Sequence, residues 1–138
     1  MKRTFTICPY CGTGCMFYLS SDRGRLVGVE PSRNHPISRG GLCVKGWNAF
    51  SFVGHPDRLT APLARKKGRL VPVSWEEALE RVAAGLRSVQ EKHGRDSIMF
   101  ASSAKATNEE NYLLMKLARR VFGTNNIDHC ARLCHSST

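Results

Sequence analysis

Three cysteines fall within eight residues, in Cys8-Pro9-Tyr10-Cys11-Gly12-Thr13-Gly14-Cys15, and a fourth, Cys43, returns much later. The pattern reads C-x2-C-x3-C-x27-C. A chain built this way must fold a tight loop and then bring a distant segment back to it. Four thiolates satisfy one tetrahedral metal or one cubane cluster. Gly12 and Gly14 let the backbone curl around an inorganic core and turn amide N–H groups toward sulfur.

Structural zinc sites commonly pair two C-x2-4-C knuckles, whereas three clustered ligands and one remote ligand are more typical of an iron–sulfur cluster. The spacing therefore favours a 4Fe–4S centre and leaves zinc open. A thioredoxin-like redox pair at Cys8 and Cys11 belongs beside a βαβ unit, and the flanking sequence reads as β-rich. A disulfide framework fits poorly. The six cysteines are clustered, and 41% hydrophobic content supports a modest core without them.

The remaining bulk properties set outer bounds. At 138 residues the chain has the size of one ordinary domain or two small ones. No apolar run reaches transmembrane length. Cys8 arrives before the apolar stretch of a secretory leader has room to form, so the chain reads as cytoplasmic. The formal charge of +10 raises nucleic-acid binding as a class. Its cations are scattered (Arg23, Arg25, Arg39, Arg58, Arg65–Lys66–Lys67, Arg119–Arg120) and do not line one helical face, which argues against nucleic acid. They suit a thiolate-ligated anion better.

Periodicity divides the chain. Residues 1–55 read as a small β-rich module with strands at Thr4–Ile7, Met16–Leu19 and Arg25–Glu30 and a turn at Ser21–Gly24. A loop from Pro31 to Gly41 then delivers Cys43. Residues 56–73 read as a connector, with the basic run Arg65–Gly68 and one short strand, Arg69–Val73. From Ser74 the texture becomes helical. Ser74-Trp75-Glu76-Glu77 is a capping box, and Trp75, Ala78, Leu79, Val82, Ala83, Leu86 and Val89 recur at helical spacing up to Gly94. A buried strand over Ser97–Ala101 follows. A second capping box, Thr107-Asn108-Glu109-Glu110, opens a helix that runs through Val121 to Gly123, and a strand is expected at Asn126–Asp128. Helix–strand–helix–strand is the start of an α/β domain with a parallel sheet. The expected fold class is α+β followed by α/β: a small iron–sulfur domain (1–55), a connector (56–73) and the beginning of a larger α/β domain (74–138). An array this short cannot cover both faces of a parallel sheet, so the chain reads as an N-terminal piece of a larger multidomain fold.

Cys8-Pro-Tyr-Cys-Gly-Thr-Gly-Cys15, Gly41-Leu-Cys-Val-Lys-Gly46 and Val73-Ser-Trp-Glu-Glu-Ala78 together resemble the start of the molybdopterin oxidoreductase family. The tail, Gly123-Thr-Asn-Asn-Ile-Asp-His-Cys-Ala-Arg-Leu-Cys-His135, is similar to the formate dehydrogenase catalytic subunits within it. The resemblance is colinear over essentially the whole chain. It implies that Cys8, Cys11, Cys15 and Cys43 hold a 4Fe–4S cluster, and that Lys45 lies between cluster and pterin. It implies that Cys134 ligates molybdenum or tungsten and that His135 is the catalytic histidine, with Arg132 supporting the site. A soft thiolate suits such a metal, and an imidazole takes up a proton near neutral pH. The implied cofactors are the 4Fe–4S cluster and molybdenum or tungsten bis-molybdopterin guanine dinucleotide, held largely by sequence beyond Thr138. The implied partners are formate or CO2 and iron–sulfur electron-transfer subunits of a redox complex, with no nucleic acid and no transmembrane segment. On this resemblance the cluster site is complete in 138 residues and the molybdenum site is not, so this piece alone is expected to be inactive. Cys130 receives no role. Three functional classes stand at this point: a formate dehydrogenase segment, a truncated electron-transfer module, and a basic zinc-binding module.

Overall fold

The computed structural model of the chain describes residues 1–130. Three strands, β1 (Lys2–Ile7), β2 (Met16–Asp22) and β3 (Arg25–Pro31), form an antiparallel sheet in that spatial order. Register is set by pairs such as Ile7 with Met16 and Phe5 with Tyr18 in the first ladder, and Leu19 with Val29 in the second. Alternation sorts the two faces. Phe17 points inward and is 1% exposed. Arg3, Phe5, Tyr18 and Glu30 decorate the other face. There the Phe5 and Tyr18 rings lie 5.0 Å apart, with the Arg3 guanidinium 4.7 Å from the Tyr18 centroid and 2.6 Å from the Glu30 carboxylate. Between β2 and β3 the chain reverses through Arg23 and Gly24, at φ 47° and 79°. Both are left-handed, as a two-residue hairpin turn of the primed type requires.

The long loop after β3 is anchored where Ser32 N–H donates to the Met16 carbonyl at 3.0 Å. It ends at α1 (Val44–Trp47), a single helical turn with Cys43 at its N-cap. A turn that short has no periodicity to read, which is why the sequence does not announce it. Gly46 sits so close to Leu42 that an added Cβ would meet Leu42 Cδ2 at 3.2 Å. Cys8, Phe17 and Ala49 form the buried centre of this unit, with Tyr10, Cys15, Leu19, Val29 and Leu42 packed against them.

Within 56–73 the expected strand at Arg69–Val73 forms as β5 (Arg69–Pro72), and it gains an antiparallel partner, β4 (Leu63–Lys66). Lys67 and Gly68, at φ 49° and 81°, make the turn. The Arg65 guanidinium donates to the Gly68 carbonyl at 2.8 Å and braces it. Next comes α2 (Trp75–His93). Ser74 caps it, accepting the Glu77 N–H at 3.1 Å. Only that half of the capping box forms, because the Glu77 carboxylate turns instead to Lys66 Nζ at 3.0 Å and Arg81 at 2.7 Å. Gly94 ends the helix at φ 82°.

The strand expected over Ser97–Ala101 begins later. Arg95–Ser97 makes a 3-10 turn, closed by Ser97 Oγ donating to the Gly94 carbonyl at 2.7 Å, and β6 covers Phe100–Ser102. The second capping box forms both of its bonds. Thr107 Oγ1 accepts the Glu110 N–H at 3.3 Å, and Glu110 Oε2 accepts the Thr107 N–H at 2.7 Å. It opens α3 (Asn108–Leu117). The helix widens into a π-type turn over Ala118–Phe122, and Gly123 stops it in the left-handed conformation at φ 66°. Phe122 leaves the regular helical path to lie 5.1 Å from Phe100, and its carbonyl accepts from Gln90 Nε2 at 2.9 Å. Finally β7 (Ile127–His129) pairs with β6.

The chain therefore has mixed sheet and helix content. Its described residues divide into two compact units: Met1–Arg58 with Ala101–Leu114 and residues 128–130, and Leu59–Phe100 with Met115–Ile127. Among the described residues no helix is long and apolar enough to cross a membrane.

Candidate metal centre

The hairpin register of β1 and β2 builds the cysteine loop. Pairing Ile7 with Met16 leaves Cys8 and Cys15 facing each other at the loop's base, where the Cys8 N–H donates to the Cys15 carbonyl at 2.8 Å. Within the loop Gly14 N–H donates to the Cys11 carbonyl at 3.2 Å, and Gly14 takes φ 63°. A side chain is strained in that conformation, so this glycine is needed. Cys43 reaches the same neighbourhood from the start of α1. Cys8, Cys11, Cys15 and Cys43 share one electrostatic field, since a negative charge on any of the other three raises the Cys8 pKa. Cys8, Cys11, Cys15 and Cys43 are in no disulfide. Among the described residues no group of three or more His, Cys, Asp or Glu side chains converges on a single-ion position.

The thiols differ in character. Burial pushes the Cys8 thiol up, against the pull of the Tyr10 backbone N–H. Cys11 is held below its ordinary value, first by the Thr13 hydroxyl, whose oxygen lies 3.5 Å from Sγ, and then by the Thr13 N–H. Lys105 and Lys45 add attractive charge there. Cys43 is lowered by the backbone N–H groups of Gly46 and Lys45. Amides turned toward thiolate sulfur stabilise its negative charge without adding a side chain. The donor set thus fits a thiolate-held iron–sulfur centre: four sulfurs, oriented N–H dipoles and two flanking ammonium groups.

Lys45 stands where its Nζ lies 5.5 Å from the centroid of the Tyr10 ring, which in turn meets Phe52 edge-on at 6.1 Å. A cation over an aromatic face is held by the ring quadrupole. On another side of the loop, a cavity of about 220 Å³ is lined by Ile7, Cys11, Thr13, His35, Thr107 and Glu109, among others.

The structure thus gathers Cys8, Cys11, Cys15, Cys43 and Lys45. It also adds residues that the sequence reading passes over: Tyr10, Thr13, Lys105 and Asn108. Thr13 carries a local signal, a hydroxyl two residues after a cysteine. Lys105 and Asn108 carry none, because they arrive from far along the chain. Cys130 Sγ accepts the Ala104 N–H at 3.2 Å. Arg132, Cys134 and His135, and with them the expected molybdenum ligand and catalytic histidine, lie outside the described residues.

Comparison with known proteins points one way. Residues 1–55 match the molybdopterin oxidoreductase Fe4S4 domain, and residues 58–138 match the molybdopterin oxidoreductase domain. The chain is 50% identical over 133 residues to the F420-dependent formate dehydrogenase 1 subunit alpha of Methanococcus maripaludis. It is 49% identical over 133 residues to the F420-dependent formate dehydrogenase subunit alpha of Methanocaldococcus jannaschii. Each match covers 96% of this chain and 19% of the relative, so the chain spans about a fifth of their length. Among solved structures, the acetylene hydratase of Pelobacter acetylenicus shares the fold, with a TM-score of 0.72 at 23% identity over 99% of this chain and 19% of that one.

Proposed function

The chain belongs to the molybdopterin oxidoreductase family, and from that premise we propose that it is the N-terminal segment of a molybdenum- or tungsten-dependent formate dehydrogenase that interconverts formate and CO2. The observation that carries this reading is the cysteine loop, closed where Cys8 meets Cys15, with Cys43 heading α1 and Lys45 in that turn, its Nζ 5.5 Å from the Tyr10 ring. The similarity to two formate dehydrogenase alpha subunits supports the choice of substrate.

On this reading Cys8, Cys11, Cys15 and Cys43 hold the cluster, and Lys45 presents a positive charge on the electron path. The cluster, when bound, supplies one-electron transfer, and the pterin-held metal supplies a two-electron acceptor. Cys134 is the protein's thiolate ligand to that metal. Formate oxidation releases CO2, two electrons and one proton, and the His135 imidazole accepts the proton. Electrons leave toward iron–sulfur subunits of a redox complex. A reducing cytoplasm suits unpaired thiols of this kind. Residues 1–55 make the cluster domain, 56–73 the connector, and 74–138 the beginning of a parallel-sheet pterin-binding domain. The exposed side chains of Trp75, Leu79 and Val82 on α2 support that last assignment, since they offer an apolar face to further sequence.

The test uses the full-length protein purified without oxygen. Formate-dependent dye reduction together with the EPR signal of a reduced 4Fe–4S cluster is expected. Stoichiometric zinc in a colourless protein would overturn the cluster assignment. An intact cluster signal without formate turnover would leave an electron-transfer role in its place. Lys45→Arg is expected to slow turnover while the cluster spectrum stays intact.

A further inference from the structure

Gly12 and Asn108 stand 96 positions apart in sequence, yet Asn108 Nδ2 donates to the Gly12 carbonyl at 2.9 Å. We propose that Asn108 is a positioning residue that sets the reduction potential of the centre held by Cys8, Cys11, Cys15 and Cys43, acting through the Gly12–Thr13 peptide.

Two observations converge on that peptide. Its carbonyl is clamped by Asn108, and the space where a Gly12 side chain would stand is filled by the Asn108 amide, with Oδ1 as its nearest atom. Gly12 is therefore required for the approach itself. Asn108 is the first residue of α3, inside its capping box, so the Thr107–Glu110 bonds fix where its side chain starts.

A peptide unit is rigid and planar, so holding its C=O also fixes the direction of its N–H. That N–H belongs to Thr13, which lies against Cys11, its hydroxyl oxygen 3.5 Å from Sγ and its amide on the same side. A hydrogen bond accepted at the carbonyl also polarises the amide on the other side of the same unit. Asn108 thus reaches Cys11 in two ways, by orientation and by polarisation. Hydrogen bonds to cluster sulfur are among the levers that set an iron–sulfur potential. Donors directed at sulfur favour the more negative, reduced state, so losing one makes reduction harder.

The inference rests on the cluster assignment above, and the test separates the two. In the full-length, anaerobically purified protein, the cluster's midpoint potential is followed by EPR during a redox titration, alongside iron and sulfide content. Asn108→Ala and the near-isosteric Asn108→Leu both remove the donor. Each is expected to lower the one-electron reduction equilibrium by up to about tenfold, a shift of about 59 mV to more negative potential, with iron content unchanged. An unchanged potential in both loaded variants would overturn the proposal. Loss of the cluster from both, with the unsubstituted protein loaded, would likewise overturn it, by showing a purely structural clamp. Absence of a cluster from the unsubstituted protein would sink the cluster assignment, and the tuning role would fall with it.

Discussion

The two compact units solve burial differently. The cysteine unit has a centre of its own, with Cys8, Phe17 and Ala49 at 5%, 1% and 5% exposure. In the second unit, α2 runs from Trp75 to His93 without one buried residue, and Trp75, Leu79 and Val82 are 66%, 62% and 58% exposed. Its buried points, Ile98, Ala118 and Thr124, lie outside that helix in sequence. The contrast shows that a correct helical pattern is not yet a packed helix. Most helical stability comes from covering the apolar face, and on α2 that face is largely exposed. In the first unit a short sheet and a thiol loop close on each other within about fifty residues of chain.

The contrast can be broken or sharpened by measurement. The largest effect is expected from Cys15→Ser, which removes one of four ligands. Iron content and the EPR signal of the anaerobically reconstituted protein should collapse, and full retention of both would remove Cys15 from the ligand set. Next is Phe17→Ala, expected to destabilise the first unit by about 3–5 kcal/mol in denaturant unfolding, as large buried aromatics do. A loss below about 1 kcal/mol would mean that Phe17 does not anchor a core.

Glu77 tests the second unit. Its pKa is lowered chiefly by the hydrogen bond from Lys66, with Arg81 assisting. A carboxylate with a depressed folded-state pKa adds stability above its unfolded value, and that stability is lost as pH falls through the folded value. Glu77→Gln should therefore lower the melting temperature modestly at neutral pH and make no difference in acid, once the Glu77 carboxyl of the unsubstituted protein is protonated in both its folded and unfolded states. An equal deficit at all pH values would argue against the ion pairs. The smallest effect belongs to Leu79→Ser. In the 138-residue chain it should change unfolding free energy by no more than about 0.5 kcal/mol, as exposed sites do. In the full-length protein a much larger loss is expected, and equal effects in both would show that nothing covers this face of α2.

Local signals in the sequence carried a good part of this fold. Three strands, the Ser74 cap, the Gly94 stop and the Thr107–Glu110 box all depend on residues within one or two turns of each other, and all are legible. The β4–β5 hairpin was hidden because its turn is Lys67-Gly68 rather than Asn-Gly or Asp-Gly. A lysine in the left-handed region gives no compositional warning, and the run Arg65-Lys66-Lys67 looks like solvated linker. β6 starts later than its apolar pattern suggests, because Ser97 closes a turn on Gly94 and delays the strand. The site shows the same division. The four cysteines and Lys45 are read directly from spacing and resemblance. Asn108 and Lys105 depend on the chain returning from far away, and a single sequence gives no indication of that return.

Cys8 and Cys43 carry a consequence for how the thiol set meets solvent. Cys8 belongs both to the apolar centre beside Phe17 and to the thiol set, whereas Cys43 stands exposed at the head of α1. The inner sulfur is placed by folding itself, and the outer one is open to solvent. A thiol-specific reagent is therefore expected to reach Cys43 well before Cys8.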